Sequence, residues 1–218
     1  MTEVIMPSQN LPESLSFLGR YVQLVPLADS HIADLLSASG LEKDPVFALT
    51  WVPNTFESMQ KYIQSAQQES DNRKSIPFAI LDQRSQKVIG STRFGNLEFW
   101  TWQQSNHPLK RDPSIPDALE IGWTWLAKSA QRSGINTEMK LLMLTHAFEV
   151  WKVHRVQFRV DSRNSQSRGA LERFGIRLDG ILRANMPGYD GAIRDTAYYS
   201  ILYSEWESTK RIIQSKLI

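Results

Sequence analysis

Cysteine is absent from this 218-residue chain. That excludes disulfides, thiolate nucleophiles and cysteine-based zinc sites, and it fits a reducing compartment. No apolar run approaches the roughly 20 residues that a membrane span needs, so no membrane partner is expected. Residues 1–17 carry two acids and two prolines and no apolar core of signal length; they read as a loosely held arm, not a secretory signal. Charge of one sign is also scarce. The 25 basic and 23 acidic side chains leave a net +2, too balanced a field for a direct nucleic-acid binder. The histidines, His31, His107, His146 and His154, show no metal-ligand spacing, and no metal is expected. What remains is one cytoplasmic domain over residues 18–218. Its hydrophobic fraction of 41% is enough for a packed core.

The apolar pattern alternates between strand and helix periods. Residues 21–26 alternate as a strand. Asp29 then offers an N-cap to a short helix with Ile32, Leu35 and Leu36 on one stripe. Asn54, with Glu57 reaching back, opens a second helix whose inner face is Met59, Tyr62, Ile63 and Ala66. Residues 78–81 and 88–94 form a hairpin across the polar turn 82–86. Residues 100–117 hold three prolines and little periodicity, which predicts a long loop. Along the strand 119–126, Leu119, Ile121, Trp123 and Trp125 are expected on one face, and Glu120, Gly122 and Thr124 on the other. A helix over 137–150, a strand over 156–161 and a helix over 165–174 stopped by Gly175 follow. The chain then runs through strands at 176–183 and 196–202, with a turn at Asp190 and Gly191. Ser204 and Glu207 form a capping-box pattern for a last helix.

The unit most suggestive of chemistry is strand, polar loop, helix, strand over residues 120–161. A helix start leaves backbone N–H groups unpaired and carries partial positive charge. Reached through a glycine-containing loop, such a start can cradle a diphosphate, and Lys128 and Arg132 add charge nearby. Neither the phosphate-loop motif nor the dinucleotide glycine motif is present.

The run Gln131, Arg132, Ser133, Gly134, Ile135 and Asn136 resembles the loop signature of GNAT acetyltransferases. The departure is Asn136, where the signature has glycine or alanine. Residues 119–126 resemble the strand before that loop in the RimJ/RimL-like, ribosomal-protein-acetyltransferase-like branch. Residues 136–140, 161–176, 179–183 and Arg194 with Asp195 continue the resemblance in order. It covers residues 18–206.

The resemblance implies an α/β fold: a mixed, mostly antiparallel twisted sheet flanked by helices, with the central strand–helix unit splayed from its neighbour. It implies an N-acetyltransferase that moves an acetyl group from acetyl-CoA to a primary amine by direct transfer. The diphosphate would lie on Gln131 through Thr137, and the pantetheine arm beside the strand ending at Trp125 and Leu126. A backbone N–H of Trp125 or Leu126 would meet the oxyanion. Glu120 matches a family base, or is a structural carboxylate bonding a neighbour. The family's acid tyrosine is missing, since Glu172 stands in its place. Ser167 is the substitute, or a helix-start serine; Tyr198 and Tyr199 are further options. Asn164 would bond pantetheine, or cap the helix that follows. Phe47 and Trp51 lie where acceptor pockets form. Trp100 and Trp102 are read as packing. A silent acetyl-CoA sensor is the alternative to an enzyme, and a homodimer is compatible with either.

Overall fold

The computed structural model describes residues 15–40, 47–104 and 106–217. Eight strands form one sheet: β1 (Phe17–Leu18), β2 (Val22–Pro26), β3 (Ile76–Asp82), β4 (Lys87–Glu98), β5 (Ala118–Leu126), β6 (Arg155–Asp161), β7 (Arg177–Pro187) and β8 (Ile193–Leu202). They lie in the order β1-β2-β3-β4-β5-β6-β8-β7. Every neighbouring pair is antiparallel except β5 with β6. A parallel pair needs a crossover, here α3 (Ile135–Thr145) extended by a π turn over His146–Val150. The other helices are α1 (Ile32–Ser39), α2 (Phe56–Asp71), α4 (Ser165–Arg173) and α5 (Trp206–Gln214).

Strand alternation gives the sheet two buried faces. On β3, Phe78 and Ile80 join α3 residues Met139 and Met143 and α5 residue Ile213. Ala79 on the same strand joins α1 and α2 through Leu35, Met59 and Ile63. The expected α2 stripe, Met59, Tyr62, Ile63 and Ala66, is buried as read.

Several local expectations need correction. The cap of α2 is Thr55, whose Oγ1 accepts from Ser58 N–H at 3.2 Å, not Asn54 with Glu57. Asp29 opens a 3-10 turn, Asp29–His31, and does not cap α1. At the last helix Glu205 accepts from Leu202 N–H at 3.0 Å, in place of a Ser204–Glu207 box. The helix expected from residue 137 starts at Ile135. Of the expected arm, residues 1–14 lie outside the described residues; Leu15 and Phe17 pack on the core. Trp100 and Trp102 do pack, against each other and around His154.

The face assignment along β5 is the larger correction. Leu119 and Ile121 face α3, yet Trp125 faces α2 and Leu126 faces α3. Pairs Arg93↔Gly122 and Ser91↔Trp125 place an extra residue on β5, at Trp123 with φ +50°. A bulge of this kind reverses every later side chain. Thr124 thereby turns to the α3 face, where its hydroxyl meets Thr92 Oγ1 at 2.7 Å.

Candidate functional site

The parallel pairing of β5 with β6 consists of Ala118↔Arg155, Leu119↔Val156 and Glu120↔Gln157. Beyond Glu120 the strands part. From Ile121 to Leu126 the β6-facing edge of β5 therefore lacks a strand partner, and buried backbone groups need one. Ala127 N–H bonds Ile89 O on the β4 side at 2.7 Å. By alternation Leu126 N–H turns to the open edge and Trp125 N–H turns to β4. Of the two amides expected to meet an oxyanion, the Leu126 amide faces the gap. The Trp125 indole Nε1 is a buried donor with no protein acceptor among the described residues.

The gap opens into a cleft of about 850 Å³. One end is the mouth of α3. After the turn Lys128–Ala130, Arg132 takes φ +59° and Gly134 becomes the N-cap of α3, with no side-chain cap. Ser133 Oγ donates to Ala130 O at 2.6 Å and only weakly accepts from Ile135 N–H, at 3.4 Å. The first-turn amides, through Asn136 and Thr137, thus keep donor capacity for a ligand. Gln131, Arg132, Ser133, Asn136 and Thr137 all line the cleft. A Cβ on Gly134 would meet the Tyr21 ring at 3.3 Å, so glycine here answers to crowding. Tyr21 is held there by Glu138, whose carboxylate accepts from the N–H groups of Arg20, Tyr21 and Val22 at 2.8, 2.6 and 2.9 Å.

Gln131 is tied into the frame. Its Nε2 donates to Leu126 O and its Oε1 accepts from Gln166, both at 3.1 Å. Asn164 caps α4, its Oδ1 accepting from Ser167 N–H at 3.0 Å. That is the capping role, yet Asn164 and Ser167 both line the cleft. The Asn164 amide nitrogen donates to no protein group among the described residues, and so suits a ligand carbonyl. Tyr199 does not line the cleft; its hydroxyl donates to Glu172 at 2.6 Å and accepts from Arg168 at 3.0 Å.

Glu120 sits at the vertex where the strands part, 4% exposed. Its Oε2 accepts from Asn96 Nδ2 at 2.6 Å and from Arg159 Nε at 2.5 Å. Burial still pushes its carboxyl above the usual range, against the pull of Arg159 and Asn96. The carboxylate needs Gly122, where a Cβ would come within 2.6 Å of Oε1. Beside it, Arg93 packs between the Tyr62 and Trp123 rings at 5.1 and 4.9 Å. Phe47, Trp51 and Tyr62 wall the cleft on the α2 side.

Three cleft residues were given no site role by the sequence. Arg159 alternates with core residue Phe158, a signal that its side chain faces Glu120. Arg194 on β8 donates to Thr196 and lines the cleft. Lys140 follows Asn136 by one helical turn, which puts both on the cleft side of α3. Burial lowers its ammonium pKa to about 7, with Glu120 raising it in part. Among the described residues no group of three His, Asp or Glu is placed to hold a metal.

An open strand edge leading from a helix mouth to a buried carboxylate is suited to a linear ligand with a phosphate end and an amide-rich arm. Relatives agree. Residues 22–177 match the Acetyltransferase (GNAT) domain. YdaF of Bacillus subtilis (strain 168), named as a ribosomal N-acetyltransferase, is 36% identical over 91 residues, 42% of this chain and 49% of that protein. YjcK of the same strain, named as an N-acetyltransferase, is 27% identical over 135 residues, 61% of this chain. The chain thus spans 49% and 65% of the lengths of these two relatives. The crystal structure of a GCN5-related N-acetyltransferase from Brucella melitensis superposes with a TM-score of 0.77 at 31% identity, over 95% of this chain and 87% of that one. Mycobacterium smegmatis RimJ, solved with CoA-disulfide, shares the fold at TM-score 0.69 and 22% identity, over 89% and 88% of the two chains. The family match covers well over half of the chain: this protein belongs to the GNAT acetyltransferase family.

Proposed function

We propose that this chain transfers an acetyl group from acetyl-CoA to a primary amine by direct attack, as a cytoplasmic enzyme. The observation that carries the reading is the β5–β6 gap, which joins the amide-lined mouth of α3 to Glu120. The diphosphate rests on the amides at Ser133 through Thr137, with Arg132 beside them. The pantetheine amides bond the open edge of β5 and Asn164. The Leu126 amide meets the thioester oxygen as it gains charge. Glu120, its carboxyl raised by burial, takes the proton of the incoming ammonium. Transfer is direct: a free amine attacks a thioester unaided once positioned, and the chain has no cysteine to carry the acetyl as a protein thioester.

The acceptor enters from the α2 side, between Phe47, Trp51 and Tyr62. Apolar walls with one buried carboxylate suit an amine on a small molecule or at a protein N-terminus. Ribosomal proteins are a candidate acceptor class, because YdaF is named for ribosomal acetylation.

The test pairs calorimetry with an activity assay. Acetyl-CoA should bind with measurable heat, be displaced by CoA, and release thiol with at least one member of a broad amine panel. Failure to bind would end the reading. Binding without thiol release across the panel, N-terminal peptides included, would instead favour a silent acetyl-CoA sensor.

A further inference from the structure

The departing thiolate needs a proton, and the position usually filled by a tyrosine is Glu172, bonded to Tyr199 outside the cleft. Ser167 lines the cleft, but a serine hydroxyl is a weak acid unless another group hands it protons. Lys140 stands elsewhere. Its Nζ donates to Thr124 Oγ1 on β5 at 3.2 Å and lies 5.3 Å from the centre of the Phe158 ring on β6. Thr124 and Phe158 belong to the two strands, four residues and one residue beyond their last pair, Glu120↔Gln157. The ammonium is therefore bracketed by the two walls of the gap, at its α3 face. Glu120 reaches the same gap from the α2 face, where it meets Arg159.

Lys140 is 6% exposed, and among the described residues no carboxylate comes within ion-pair distance of it. An ammonium has three N–H donors; one hydroxyl and one ring face leave it short of acceptors. A buried charge in that state is costly and is characteristic of functional sites. The charged groups around it are few. Glu120 from β5 acts on it, Arg159 from β6 and Arg194 from β8 stand on the Glu120 side, and its own-helix cleft neighbours Asn136 and Thr137 are uncharged.

We propose that Lys140 is the catalytic acid of this site, its Nζ donating to the coenzyme sulfur as the thioester breaks. The inference rests on the acetyl-CoA reading above. The two proton-handling groups then sit on opposite faces of the gap, the base on the acceptor side and the acid on the coenzyme side. As the amine nitrogen bonds to the carbonyl carbon, the C–S bond breaks. The nitrogen sheds two protons. Glu120 takes one and passes it to solvent; the other recharges Lys140, which has given its own to sulfur. Acetyl-CoA and an ammonium thus yield an acetamide, the CoA thiol and one free proton. Burial, which brings the ammonium to about 7, makes that donation easy near neutrality.

Because the protein has no cysteine, the sole thiol in its complex with CoA is the coenzyme's. The thiol of bound CoA can be titrated by thiolate ultraviolet absorbance, against the complex with desulfo-CoA as blank, in the wild type, Lys140→Met and Lys140→Gln. In the wild type thiolate should already form near pH 7, displaced below free CoA, because Lys140, titrating at about 7, is still partly charged there. In either variant that displacement should vanish, leaving about tenfold less thiolate or lower still at pH 7, while calorimetric CoA affinity stays within a few-fold. A variant that binds CoA with an unchanged thiol titration overturns the inference. Absence of CoA binding by the wild type is a separate result, and it overturns the acetyl-CoA reading itself. The glutamine variant serves if the methionine variant does not fold.

Discussion

Replacing Glu120 by Gln removes one charge while keeping the side chain's shape. The expected loss in kcat/KM is on the order of 10²-fold or more, the usual worth of a positioned base. The deficit should be largest near neutral pH and shrink as pH approaches the acceptor's own pKa, where the amine needs no help; a pH–rate profile of both proteins checks this. Gly122→Ala tests the same carboxylate from the side. A Cβ there would meet Oε1 at 2.6 Å, so Glu120 must move; thiol release should fall while calorimetric CoA binding holds. Glu120 was legible in the sequence because its place on the strand before the loop resembles that of a family base. Lys140 was not: a lysine between Met139 and Leu141 on an amphipathic helix reads as a solvated face. Only the gap between two strands distant in sequence makes its position a buried one.

The elements around α3 respond to charge in two opposite ways. Glu138 accepts three backbone N–H groups from the β1–β2 turn. Glu138→Ala leaves them without an acceptor and should destabilise the protein by roughly 2–4 kcal/mol, visible in urea unfolding. Lys140→Met removes a buried charge and should stabilise it, by about 1–4 kcal/mol at pH 6. The sign with pH follows from a folded-state pKa lowered to about 7 from 10.5. The unfolded chain binds the extra proton between those values, so wild-type stability rises with pH across that window. The variant's advantage should shrink from pH 7 toward pH 10 in paired melts. Element order was readable from periodicity, since strand and helix periods differ plainly. Faces were not, past Trp123: one inserted residue leaves no compositional trace, and every later side chain on β5 changes sides. Caps were misplaced by one or two residues because Asn54, Thr55 and Ser58 are all competent caps in the sequence.

For the whole molecule, ligand binding and stability are linked. CoA at about 100 times its Kd should add about 2.7 kcal/mol, a rise of roughly 5–10 °C in Tm for a chain of this size. A thermal melt with no shift at that concentration would contradict the cleft reading. The architecture was legible because motifs in a fixed order mark it. The cleft's interior was not, because it depends on where pairing stops, a property of two strands and of neither alone. That stop has a dynamic consequence. Three rungs join the β1–β5 half of the sheet to the β6–β8 half, and past them the amides of Thr124 and Leu126 face no strand. In the free protein these amides should exchange with deuterium quickly. With the pantetheine arm seated they should slow by orders of magnitude, because the coenzyme then takes the place of the missing rungs and ties the two halves together.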